Sequence, residues 1–305
     1  MKAIKCENVT KTYKKKKALD RLNVSIEAGK IVGLVGRNGA GKTTWMKVVA
    51  GMVKESKGSV EVFGEHPFNN LRISANSVYI DDRMSFPATL TLEEILMEGK
   101  RFYQYWDHDL ALRLFDYFGF ERGERHHTLS KGRESIFHMI FGLATRCSLT
   151  IFDEPTTGMD AAVRKDFYRA LLKDYLSSPR TIVLSTHHLE EMEDILEEVL
   201  LLHKGKLLLQ TSMDELKEYA VRLTAPLEIL RPWTRNREIL YEQLPEERNS
   251  CVIVRNDWTE TEQTEMRKEG IRIAPVSASD VCVYMTEDKV GRGGIDDVFD
   301  RSENR

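Results

Sequence analysis

IVGLVGRNGAGKTTWMKVVAGM, residues 31–52, decides how the rest of the chain is read. The opening IVGLVG is a continuous apolar run of strand length, as expected of a strand buried on both faces of a parallel sheet. The closing KTTWMKVVAGM puts Trp45, Val48 and Val49 on one helical face and offers Gly51 as a C-terminal stop. Between them Gly36, Arg37, Asn38, Gly39, Ala40, Gly41, Lys42 and Thr43 fit G-x-x-x-x-G-K-[ST], and Thr44 follows. Successive backbone N–H groups can surround a phosphate only where the chain approaches more closely than a Cβ permits, which glycine allows. The positive end of the next helix adds attraction. Lys42 would neutralise β- and γ-phosphate charge, and Thr43 would offer a hydroxyl to Mg2+. A glycine-rich turn without a ligand has no need of the lysine.

Two further strands end in chemistry. LTIFDE, 149–154, is apolar and closes on Asp153 and Glu154. Asp153 suits Mg2+ through its water shell, and Glu154 suits the orientation and polarisation of an attacking water; the alternative is two acids capping a loop. TIVLSTHH, 181–188, ends in His187 and His188. A histidine just past a parallel strand's carboxyl end lies where α/β folds bind ligands, so His187 is placed at the γ-phosphate and His188 on the surface.

The chain has 305 residues, with 45 lysines and arginines against 48 aspartates and glutamates, a net charge of -3. That balance gives no attraction to nucleic-acid phosphates. The basic run Lys14–Lys17 reads as a solvated loop. Cys6, Cys147, Cys251 and Cys282 form no CxxC pair, which points away from structural zinc and from a disulfide framework. No stretch reaches the roughly 18 apolar residues of a membrane span. The expected organisation is an α/β domain over 1–219, with a mainly parallel sheet, short strands in GSVEVFG and SVYI, and a helical subdomain at about 88–146 opened by Thr91 and Glu94 at capping-box spacing. Beyond SLTIF come a helix over DAAVRKDFYRALLKDYL, a helix over HLEEMEDIL and a hairpin turning at Lys204-Gly205. Residues 220–305 read as a small α+β appendage with a polar end from about Thr286.

In order along the chain, GRNGAGKTT, LSKGRE, LTIFDEPTTGMD and STHHLEE resemble the ATP-binding cassette of ABC transporters over about residues 2–217. The resemblance implies a P-loop ABC-type ATPase fold with an antiparallel β subdomain and a helical subdomain, using ATP and Mg2+. It makes Tyr13 the aromatic that stacks on adenine; taken alone, Tyr13 reads as a core aromatic. It makes Asp160 an acid of a loop that touches a second subunit, and places Ser130 and Gly132 at a helix start facing the γ-phosphate held by a second cassette. Taken alone, LSKGR reads equally as a solvated turn before a core helix carrying Ile136, Phe137, Ile140 and Leu143. The implied partners are a second cassette and integral-membrane permease subunits, at the cytoplasmic face of the membrane and without nucleic acid. Taken alone, the rings of RFYQYW and LFDYFGF read mostly as local core of the helical subdomain; the resemblance puts a groove for a permease helix between this subdomain and the Asp82 loop, where exposed rings would serve as docking anchors.

The sequence departs from the family's pattern. Lys131 stands where that pattern has a second glycine, Arg133 where it has glutamine, and Asp82 is the nearest candidate for the Mg2+-contacting glutamine. A carboxylate can bind Mg2+, but it brings negative charge toward a polyphosphate, and two unit charges about 4 Å apart interact by about 4 kcal/mol at an effective dielectric near 20. The expected function is an exporter-type ATPase subunit tolerant of asymmetric pairing. The competing readings are a degenerate cassette that binds ATP for regulation or structure, and a soluble cassette ATPase of DNA repair or translation.

Overall fold

Ile31–Val35 is buried at every position and forms β3, at the centre of the larger sheet. The computed structural model describes residues 1–243 and 250–287; the expected polar end beyond 287 lies outside them. The chain divides into Met1–Lys217 and Glu218–Arg305.

In the first unit β1 (Lys2–Tyr13) and β2 (Lys16–Glu27) make a long antiparallel hairpin, joined on the other edge of β1 by β4 (Lys57–Val62). β2 has no counterpart in the sequence reading, because its charged start hides the alternation of Leu22, Val24 and Ile26. Helix α1 (Lys42–Val49) follows β3 and buries Trp45, Met46, Val48 and Val49 among apolar residues of both sheets. It ends as expected at Gly51, with φ 71° and the Met52 amide bonded to the Lys47 carbonyl.

After α2 (Leu71–Ala75) comes β5 (Ser77–Ile80), then α3 (Leu92–Phe102), α4 (His108–Tyr117) and α5 (Lys131–Ala144). The capping box at Thr91 and Glu94 is formed. Then follow β6 (Leu149–Asp153), α6 (Ala161–Ser177), β7 (Thr181–Thr186), β8 (Glu198–His203), β9 (Lys206–Ser212) and α7 (Met213–Lys217). The six-stranded sheet runs β5-β6-β7-β3-β8-β9, with only β9 antiparallel. Lys204 and Gly205 both have positive φ, as a two-residue hairpin turn requires.

HLEEMEDIL is not a helix. Only Leu189–Glu191 makes a 3-10 turn, followed by i+3 turns through Ile195. Leu189, Met192, Ile195 and Leu196 are all buried, so a three-residue apolar spacing that fits a helix is met here by successive tight turns. The segment is pinned at both ends, by the His188 amide on Thr186 Oγ1 and the Glu197 amide on the Ile31 carbonyl.

The second unit runs β10 (Ala220–Ala225), α8 (Leu227–Thr234), β11 (Ile239–Gln243), β12 (Ser250–Arg255), α9 (Glu260–Lys268), β13 (Arg272–Pro275) and α10 (Ala278–Thr286). Its antiparallel sheet has the order β11-β12-β10-β13, a split β-α-β-β-α-β arrangement. Val221, Leu223 and Ala225 alternate onto one face and pack with Leu230, Met266 and Ile271. On α10, Tyr284 stacks on Tyr241 of β11.

Candidate functional site

Strands β6, β7 and β3 are neighbours, so their carboxyl ends bring Asp153, His187 and the 36–44 loop together at one sheet edge. A Cβ on Gly41 would lie 2.7 Å from the Ala18 carbonyl, and its φ of +108° disfavours any other residue. Gly36 admits no Cβ either, because the Leu202 carbonyl lies against it. Ala40 is buried, while Arg37, Asn38, Gly39 and Thr43 are exposed and Thr44 half-buried. A cleft of about 300 Å³ is lined by Tyr13, Lys16, Ala18, the loop residues 37–44 and Glu154. Tyr13 is 46 % exposed and is therefore no core residue. Lys16, assigned from sequence to a solvated loop, borders the same cleft.

Lys42 is buried, and its Nζ donates to the Gly36 carbonyl at 2.7 Å. Glu154 stands between two basic groups: Oε1 lies 3.6 Å from Lys42 Nζ and Oε2 lies 3.5 Å from His187 Nδ1. Its backbone is left-handed, with φ 50°, and the amide donates to Ser185 Oγ at 2.8 Å. Ser185 in turn donates to Asp153 Oδ1 at 2.6 Å, and the Tyr79 hydroxyl donates to Oδ2 at 2.9 Å. Burial, with the charge of Asp153 next, pushes the Tyr79 phenol up, so it remains a donor. His188 is exposed beside His187.

Ser130 is exposed at the start of α5 and makes no side-chain capping bond. The Glu134 amide is bonded to the Ser130 carbonyl, and the amides before it form the open end of a fourteen-residue helix. Gly132 has a role inside its own chain: a Cβ there would lie 2.5 Å from the Gly158 carbonyl. Ser135 Oγ also donates to the Thr157 carbonyl, at 2.7 Å. The head of α5 therefore sits on the turn that follows Glu154. Asp160 caps α6, accepting from the amides of Ala162 and Val163. Arg133 stays within the helical region, bound to Glu124 and the Gly119 carbonyl and lying over Phe120.

Asp82 is half-exposed, and its neighbour is Lys131, whose Nζ donates to the Asp82 carbonyl at 2.7 Å and lies 3.9 Å from its carboxylate. Asp81 instead turns inward, to 3.5 Å from Lys47 on α1. Sequence reasoning missed Tyr79, Asp81 and Ser185. For Ser185 and Tyr79 the available signal was a polar side chain at, or near, the carboxyl end of an otherwise apolar strand.

Residues 19–157 match the family described as ABC transporter. A similar protein is an uncharacterized ABC transporter ATP-binding protein of Methanocaldococcus jannaschii, 33 % identical over 207 residues, which are 67 % of this chain and 75 % of that one. The chain belongs to the ABC transporter ATP-binding proteins. The bacitracin transport ATP-binding protein BcrA of Bacillus licheniformis is 29 % identical over 271 residues, covering 88 % of this chain and 83 % of that protein. A solved ATP-binding cassette in a dimeric post-hydrolysis state with ADP and Pi superposes with a TM-score of 0.62 at 21 % identity, over 69 % of this chain and 98 % of that one; this likeness concerns the fold. As an ABC cassette the chain is an ATP-binding subunit and an ATP hydrolase. Among the described residues no helix is long and apolar enough to cross a membrane.

Proposed function

We propose that this ABC subunit works in pairs, each ATP held between the glycine loop of one cassette and the Ser130 turn of the other, and that the cycle drives a separate membrane permease in the export direction at the cytoplasmic face. The observation that carries the reading is Glu154 held between Lys42 and His187 at the mouth of the loop cleft. In this arrangement Glu154 takes a proton from the attacking water as the new O–P bond forms and ADP leaves. Lys42 and His187 offset charge on the transferring phosphoryl group, loop amides 36–44 hold the phosphates, and Tyr13 stacks on the adenine.

Mg2+ fits the residues present. Thr43 exposes a hydroxyl at the loop's end, and Asp153 keeps lone pairs beyond those taken by Tyr79 and Ser185. Two such oxygens with phosphate and water are what magnesium accepts, and the ion supplies charge neutralisation on the phosphates. Asp82 is left out of this set because it engages Lys131.

A transport role is supported by the match to the bacitracin transport protein BcrA, which covers 88 % of this chain and therefore extends beyond Met1–Lys217; the export direction is our proposal. The family also includes a zinc uptake system ATP-binding protein, from Listeria innocua, at 28 % identity, so direction is tested by transport into inverted vesicles carrying the permease. Pairing is tested with Glu154→Gln. With ATP this variant is expected to sediment as a dimer holding two nucleotides, and with ADP as a monomer. A monomer under both conditions, also when a second cassette of the same transporter is added, overturns the shared site, whereas a dimer of this chain alone removes the need for a different partner cassette.

A further inference from the structure

The loop after β5 is fastened at both ends. Asp81 lies 3.5 Å from Lys47 on α1, and within the loop the Arg83 amide bonds to Asp81 Oδ1 and the Met84 amide to its carbonyl. Toward α5, Lys131 Nζ donates to the Asp82 carbonyl at 2.7 Å. Farther along, the Phe86 ring packs 5.1 Å from Phe141 and 5.6 Å from Phe137, centroid to centroid. This short segment joins the helix that follows the nucleotide loop to the helix that Ser130 heads.

The two sequence departures of this chain meet at that joint. Lys131 Nζ is 3.9 Å from the Asp82 carboxylate and 3.5 Å from Glu134. Where the family's pattern carries a neutral glutamine and a glycine, this chain carries an anion and a cation within reach of each other, so the net charge of the pair is the same. A glycine at 131 would leave the Asp82 carbonyl without this donor and its carboxylate without this counter-ion.

We propose that Lys131 is a positioning residue that sets the 81–86 loop on the head of α5, and that Asp82 and Lys131 form one compensated unit in which neither departure works alone. The consequence for hydrolysis rests on the pairing reading above; the consequence for the loop does not. With Lys131 in place the loop keeps its reach to α1, and the added Asp82 charge is offset before it meets a polyphosphate. Both side chains are about half-exposed, so the ion pair is worth at most about 1 kcal/mol, a few-fold in rate; the backbone bond positions the loop, and the charge pair sets the effect on kcat.

The test has two readouts. In the nucleotide-free chain, amide exchange at Arg83 and Met84 is expected to quicken about fivefold in Lys131→Met, the loss of one such bond, and to return in Lys131→Arg. In steady-state hydrolysis, Lys131→Gly and Asp82→Gln are each expected to lower kcat about three- to fivefold with little change in KM for ATP, and the double variant to lie within about twofold of wild type. Unchanged exchange in Lys131→Met, or single effects that multiply in the double variant, overturns the proposal. If the exchange results hold while neither wild type nor any variant forms an ATP-bound dimer, the pairing reading fails and the loop assignment stands.

Discussion

Ser185 Oγ donates to Asp153 at 2.6 Å while accepting the Glu154 amide at 2.8 Å. One fully buried hydroxyl thus ties the two carboxylate-bearing residues to β7 and holds Glu154 in a left-handed conformation. Ser185→Ala leaves that amide without its partner, at a cost of about 1–3 kcal/mol. Urea unfolding is expected to show this loss, and kcat for ATP hydrolysis to fall more than KM changes. Equal activity and stability in the variant would show that Glu154 is held by other contacts.

Gly132 is expected to matter even in an isolated chain. Its α-carbon faces the Gly158 carbonyl, and a methyl group would lie 2.5 Å from that oxygen. Gly132→Ala forces the α5 head away from its own 157–159 turn, at about 1–3 kcal/mol by analogy with overpacking in cores. The measurement is the melting temperature of the nucleotide-free monomer, where no second subunit contributes.

Tyr13 is exposed at the cleft, so Tyr13→Ala is expected to shift stability by no more than about 0.5 kcal/mol. Loss of ring stacking worth about 0.5–1.5 kcal/mol would weaken ATP binding about two- to twelvefold, and Tyr13→Trp would retain it. Equilibrium titration with a fluorescent ATP analogue measures both. Unaltered affinity in the alanine variant would remove Tyr13 from the adenine site.

Acid should destabilise this chain through His126 and His138, whose Nε2 atoms are 2.7 Å apart in the buried interior. Burial, followed by the neighbouring His126 and Lys131, pushes His138 down to about 3; burial also lowers His126, with Glu134 opposing. The folded state refuses protons that the unfolded state accepts, so stability is complete above the unfolded value of 6.5 and declines as pH falls from there toward 3. Between pH 7.5 and 5.5 one such histidine removes about 1.4 kcal/mol. Denaturant unfolding of wild type and His138→Phe at the two pH values should show a shallower decline in the variant.

The frame of the site was legible because local rules fix it. An apolar run, a glycine loop and an amphipathic helix predict β3 through α1, and apolar strands that stop at Asp153 and at Thr186 predict where chemistry gathers. The Lys204-Gly205 hairpin and the Thr91 capping box are equally local. What joins distant segments was not legible: Tyr79 to Asp153, Ser185 to Glu154 and Lys131 to Asp82 each cross the fold. No periodicity encodes such pairings. The 189–196 turns were misread because their apolar spacing satisfies a helix and a succession of tight turns alike. The burial of His126 and His138 was hidden as well, since histidine gives no hydropathy signal.

Gly132 resting on the Gly158 carbonyl means that the segment which would feel a neighbour's triphosphate and the turn leaving Glu154, which serves the chain's own, are in van der Waals contact. The head of α5 cannot move toward that turn without displacing it, because a hydrogen atom is all the spacing allowed between them.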